Sequence, residues 1–181
     1  MLSANAASRS SQVAPGTKIT MNGQTYMACN AKCTYHVSKN VQAKSPSSLI
    51  DGGCNGGLAG NDVKILEVTE QQVDVSGIAD AKLDSIPVGT VAGLITSTEG
   101  PVIGIFHQYA LYGKGNTIHS VIQHRSFGQD INDIPKGCKG GRQSIITLDG
   151  HTIPLAIREG LCYMDMRPLR ITSWTHFPIS L

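Results

Sequence analysis

Apolar residues in this chain come in short runs broken by glycine, asparagine and aspartate, and no run keeps a helical period over 15 residues. The pattern predicts strands at 18–21 and 24–28, split by Asn22-Gly23, a strong short hairpin signal. Residues 37–47 are polar and read as a connection. From Ser48 the pattern changes: Leu49-Ile50 is a short apolar run stopped by Asp51-Gly52-Gly53, with Gly56-Gly57 close behind. Strands are expected at 63–68 and 72–75, the second alternating through Val73 and Val75. Two β-prone runs, 88–96 and 101–110, flank Glu99-Gly100 as a turn. Residues 117–123 suit a strand or a short helix, and 128–141 a polar, glycine-rich loop. Residues 144–148 and 152–157 flank Asp149-Gly150, a further hairpin signal, and 161–166 closes the regular part. Residues 168–181 read as a tail, with Trp174 and Phe177 able to dock. The expectation is an all-β domain.

Composition sharpens this. The chain has 181 residues and 40% of them are hydrophobic, enough for one cored domain with extensions. Twenty glycines and few aromatics suit many short strands joined by turns. The net charge of +2 is unevenly spread. Residues 1–50 hold no acid but carry Arg9, Lys18, Lys32, Lys39 and Lys44, a +5 segment that suits a solvated arm or contact with nucleic acid. No run of 18 apolar residues marks a membrane span, so no membrane role is expected. The five cysteines are odd in number and irregularly spaced, which fits a reducing, intracellular, cytoplasmic setting better than a disulfide framework.

Taken alone, Asp51-Gly52-Gly53 is an ordinary turn sequence. Its context adds more. Ser48-Leu49-Ile50-Asp51-Gly52-Gly53-Cys54-Asn55 resembles the active-site turn of retroviral-type aspartic proteases. Downstream, Val75-Ser76-Gly77-Ile78-Ala79-Asp80 resembles that family's flap. Val88-Gly89-Thr90-Val91 and Val102-Ile103-Gly104-Ile105 stand where copia-type proteases carry their next strands. Ile118-His119-Ser120-Val121-Ile122-Gln123 is similar to the run that ends those proteases, and Gly160-Leu161-Cys162-Tyr163-Met164 to the element at the integrase border. The order of these motifs over roughly residues 35–168 resembles copia-type retrotransposon aspartic proteases, in particular those of microalgal polyproteins.

The resemblance implies a retropepsin-like closed barrel, one pepsin-type lobe, with flexible N- and C-terminal extensions. It divides the chain into a basic leader at 1–34, a protease domain at 35–125, a β extension at 126–168 and a tail at 169–181. Asp51 is then the catalytic residue, Gly52 and Gly53 complete the active-site turn, and Gly77, Ile78 and Ala79 belong to a substrate-covering flap over 76–84. The chemistry needs two carboxylates close enough to share one proton. One activates a water and the other protonates the scissile carbonyl. A chain with a single such motif must borrow its second aspartate from an identical chain, so the implied enzyme is a homodimer acting on an extended peptide of its own polyprotein. One departure stands out: Gly52 occupies the slot that the family fills with Thr or Ser. A catalytically silent peptide-binding or dimerising domain is therefore the alternative, and a nucleic-acid accessory segment using the basic arm is a third.

Other clusters are less complete. Cys29, Cys33 and His36 lack a fourth ligand, so no metal or other cofactor is expected. The segment from Gly137 to Arg142 lacks the ending and the strand–helix context of a phosphate loop. Cys54 sits in the family's small-residue slot and reads as packing, and His119 and His124 as surface or structural residues.

Overall fold

The computed structural model describes residues 18–21, 24–27, 34–37, 47–77, 81–169 and 179–180. These form fifteen strands and one short helix. The chain is all-β. It forms two compact units, Met1–Cys33 and Thr34–Leu181.

In the first unit, β1 (Lys18–Met21) and β2 (Gln24–Met27) pair antiparallel, as the Asn22-Gly23 signal predicts.

The second unit begins with β3 (Thr34–Val37), a strand the sequence reading does not single out and whose last residue it places in the polar connection at 37–47. Then come β4 (Ser48–Asp51), β5 (Leu58–Ala59), β6 (Lys64–Gly77), β7 (Lys82–Ser97) and β8 (Gly100–Leu111). The two strands expected between 63 and 75 are one strand, β6, which pairs with β7 through three register shifts. The polar residues Thr69, Glu70 and Gln71 interrupt the alternation there while the backbone continues. Residues 117–123 satisfy both expectations in turn. β9 (Ile118–Ser120) ends at Ser120, whose hydroxyl accepts from Gln123 N at 3.2 Å and caps α1 (Val121–Ser126). The loop expected at 128–141 contains β10 (Asp130–Asn132), which pairs with β11 (Ser144–Ile146). β11 pairs in turn with β12 (Thr152–Arg158). The remaining strands are β13 (Leu161–Met164), β14 (Met166–Pro168) and β15 (Ile179–Ser180).

β13 lies antiparallel to β4, β4 parallel to β9, and β9 antiparallel to β5. β5 runs parallel to β8, and β8 antiparallel to β7. β14, separated from β13 by Asp165 alone, pairs with β7, so the chain, and not a further pairing, links the two ends of this circuit. The main core includes Ile50, Val91, Ile95, Phe106, Tyr109, Met164 and Met166. Each such side chain contributes about 1.5–3 kcal/mol by leaving water. A smaller cluster of Ala92, Leu94, Ile103 and Leu169 also involves β7 and β8. Consecutive residues Val91 and Ala92 thus belong to different clusters, which is why 88–96 reads as a continuous apolar run. Among the described residues, no helix is long and apolar enough to cross a membrane.

Candidate active site

Asp51 is the last residue of β4, partly exposed, and a turn carries the chain from it to β5. β9 runs between the two arms of that turn: Asp51 stands opposite Ser120, and Leu58 opposite Ile118. One strand therefore fixes both arms through backbone ladders, placing the carboxylate on a rigid element.

Side chains finish the hold. Asp51 Oδ1 accepts from Gly53 N at 2.7 Å, a tight local turn. The Cys54 thiol donates to Asp51 O at 3.3 Å, and Ser120 Oγ donates to Cys54 O at 2.7 Å. Gln123 completes the set. Its Oε1 accepts from Gly57 N at 2.6 Å, while its Nε2 donates to the carbonyls of His107 and Gln108 at 3.1 and 3.2 Å. A single buried amide thus ties the far arm of the turn to β8, where Gln108 has φ of 61°. Each bond contributes about 1 kcal/mol, and together they leave the turn little freedom.

Gly52 is exposed, lies outside the left-handed region of φ, and a β-carbon built on it meets nothing within 4 Å. The slot for a larger side chain is open. Cys54 is buried, and burial, with the Asp51 carboxylate second, pushes its thiol up to about 12. It stays protonated at neutral pH, in keeping with a packing role and not with that of a nucleophile.

Gly77 ends β6, and its N–H donates to Ala81 O at 2.7 Å, beside the start of β7. Ile78 and Ala79 lie outside the described residues, as do Cys29 and Cys33. The β6 arm is bordered by β3, which runs parallel to it with His36 opposite Ser76 and Val37 opposite Gly77. Val73 and Val75 are buried.

Two buried polar groups complete the surroundings of the turn: Asp62, which the sequence reading does not single out, and the pair His119 and His124, which are structural and not surface residues. Asp62 is 6% exposed. Its Oδ1 accepts from Thr117 N at 2.9 Å and from Thr117 Oγ1 at 2.6 Å, and Thr117 Oγ1 accepts from Gly60 N at 3.0 Å. Burial raises its carboxyl above the usual range, against the opposing pull of Thr117. Asp62 holds together the loops that precede β6 and β9. The second group is a histidine pair. Tyr109 Oη lies 2.7 Å from His119 Nδ1 and 3.0 Å from His124 Nε2, and His124 Nδ1 lies 2.7 Å from Gln129 Oε1. Both histidines are buried, and desolvation lowers the affinity of each for a proton, that of His119 strongly.

No family model, curated protein or solved structure matches this chain.

Proposed function

We propose that this chain is an aspartic endopeptidase of a copia-type retrotransposon polyprotein, an intracellular enzyme with Asp51 as its catalytic residue. The observation that carries the reading is the threading of β9 between the arms of the Asp51 turn. A peptidase of this class must hold one carboxylate at a fixed place beside a symmetry mate, and here backbone ladders and the Ser120 and Gln123 side chains fix it. The circuit of pairings supports a retropepsin-like closed barrel, and the β6–β7 hairpin supplies the arm of a flap.

In the proposed dimer, two Asp51 carboxylates share one proton, because like charges so close do not both ionise. The ionised member takes a proton from a water, which attacks the scissile carbonyl of an extended peptide. The protonated member donates to the carbonyl oxygen. Collapse of the intermediate breaks the C–N bond: the departing amine receives the proton taken from the water, and the proton on the former carbonyl oxygen returns to the second carboxyl group. The Gly53 N–H on Oδ1 orients the carboxylate throughout.

The test is cleavage of a polyprotein-derived peptide at mildly acid pH by wild type and Asp51→Asn. Cleavage is expected to vanish in the variant, and specific activity to fall on dilution as dimers part. The dimer should bury on the order of 1,200 Å² or more. Cleavage that survives in Asp51→Asn refutes the reading. The second reading, a silent domain that binds peptide without cutting it, is favoured by Gly52, which brings no hydroxyl to the turn. It expects peptide binding with no cleavage by wild type.

A further inference from the structure

A cavity of about 210 Å³ opens beside α1. Its apolar wall is Ile105, Phe106, Phe127 and Leu148. At its rim, Leu148 is 71% exposed and Phe127 45%, so both side chains are accessible to a guest. Its polar lining is His107, Tyr109, Gln123, His124 and Gln129, of which His107 is exposed. These groups bond to the protein: His124 to Gln129 and Tyr109, Gln123 to Gly57 and to two carbonyls of β8. No Asp, Glu, Lys or Arg lines the cavity. A charged guest would lose its hydration with no countercharge in return, apart from the exposed His107 imidazole at the cavity's edge. An apolar cavity of about 150 Å³ accepts benzene, so this one is of a size for a single ring or a fused pair.

The geometry also joins this cavity to the Asp51 turn. Gln123 is part of its wall, and the same amide accepts the Gly57 N–H on the arm that leads from Asp51 to β5. A guest that stiffens or shifts Gln123 acts on that bond directly.

We propose that the cavity beside α1 binds a small uncharged ring compound, aromatic or cycloaliphatic, and that occupancy is transmitted to the Asp51 turn through Gln123. The proposal is independent of whether the chain cuts peptides.

The experiment is a titration of the full chain, labelled with nitrogen-15, with indole as the probe and benzoate and benzylammonium as charged comparators. Indole is expected to give saturable shifts at the amides of Phe127, Gln129 and Leu148, together with the Gly57 amide, while the charged rings give none there. Leu148→Asp, a change at an exposed position, is expected to weaken indole roughly fivefold or more by placing a carboxylate at the rim. Gln123→Leu is expected to keep the indole shifts at Phe127 and Leu148 and to abolish any response at Gly57. If Gln123→Leu fails to fold, the Gly57 amide of the wild type still decides the coupling. Absence of saturable shifts at Phe127, Gln129 and Leu148 overturns the site, as does binding of charged rings equal to that of indole. Indole binding with a silent Gly57 amide in the wild type overturns the transmission.

Discussion

Removing the Tyr109 hydroxyl tests the buried network that backs the Asp51 turn. Gln129 presents Oε1, which only accepts, so His124 Nδ1 must carry the proton. The neutral ring then accepts at Nε2, and Tyr109 donates its hydroxyl proton there. The Tyr109 oxygen in turn accepts from His119 Nδ1–H. Tyr109→Phe keeps the ring, and with it the packing against Phe106, but strands a donor on His119 and an acceptor on His124. His119 gains nothing by moving its proton to the other nitrogen, since Nε2 has no hydrogen-bond partner among the described residues. Each stranded buried group costs about 1–3 kcal/mol, so the expected loss for the two is about 2–6 kcal/mol. Urea denaturation at pH 8 measures it, with an unchanged slope as the sign that the comparison is fair. A loss under about 0.5 kcal/mol would refute the reasoning, because it would mean that both imidazoles find partners or water without the hydroxyl.

Three further outcomes follow from the same geometry. Gly52→Ser is expected to leave the urea midpoint within about 0.5 kcal/mol of wild type, since φ there is ordinary and the space is open, and to raise peptide turnover roughly 5- to 30-fold if a hydroxyl bond of about 1–2 kcal/mol forms across the dimer. Unchanged turnover in a stable dimer would show that the hydroxyl is not limiting. Gly60→Ala is expected to prevent folding or to cost at least about 3 kcal/mol, because its β-carbon would stand 2.2 Å from Gly115 O, a backbone atom that cannot swing away; a normal circular dichroism melt refutes this. Stability is expected to fall on acidification through the ordinary histidine range, because His119 and His124 bind protons less well folded than unfolded, so the unfolded state takes up protons first. Their contribution is complete above that range, and a urea midpoint constant from pH 8 down to pH 5 would contradict it.

Much of the fold is legible because its signals are local. Asn22-Gly23, Glu99-Gly100 and Asp149-Gly150 each mark a chain reversal, and the strands they join are adjacent in the structure. Ser120 carries both a strand ending and a helix cap, so a local reading of 117–123 sees two answers where the chain uses both. The threading of β9 is a different matter. It brings Asp51 to Ser120 across 69 positions, and nothing between them announces it. Separations of 66 and 55 positions likewise hide the roles of Gln123 and Asp62, whose partners Gly57 and Thr117 arrive from elsewhere in the chain. His119 bonds to Tyr109 only 10 positions away, on a neighbouring part of the fold. The Asp62 carboxylate goes inside because Thr117 supplies two donors to it.

If the proposed peptidase is right, its carboxylate pair and the buried histidine pair pull in opposite directions, and this sets the form of its pH profile. A carboxylate pair that shares one proton works where the pair holds a single proton and stops when a second binds. The histidine pair demands the reverse environment, since acid that favours protonation also favours the unfolded chain. His119 is on the strand opposite β4 and His124 on the helix that carries Gln123, so strain at the pair is applied directly to the elements that hold the Asp51 turn. The acid limb of a cleavage profile should therefore contain two processes. Protonation of the carboxylates reverses at once when the pH is restored, whereas unfolding appears in far-UV circular dichroism and recovers at the rate of refolding. Tyr109→Phe, with its weakened network, should move the second process to higher pH and leave the first where it was. A profile whose whole acid limb shifts with the variant, with no change in circular dichroism, would place the histidine pair in the titration of Asp51 itself and not in the stability of the fold around it.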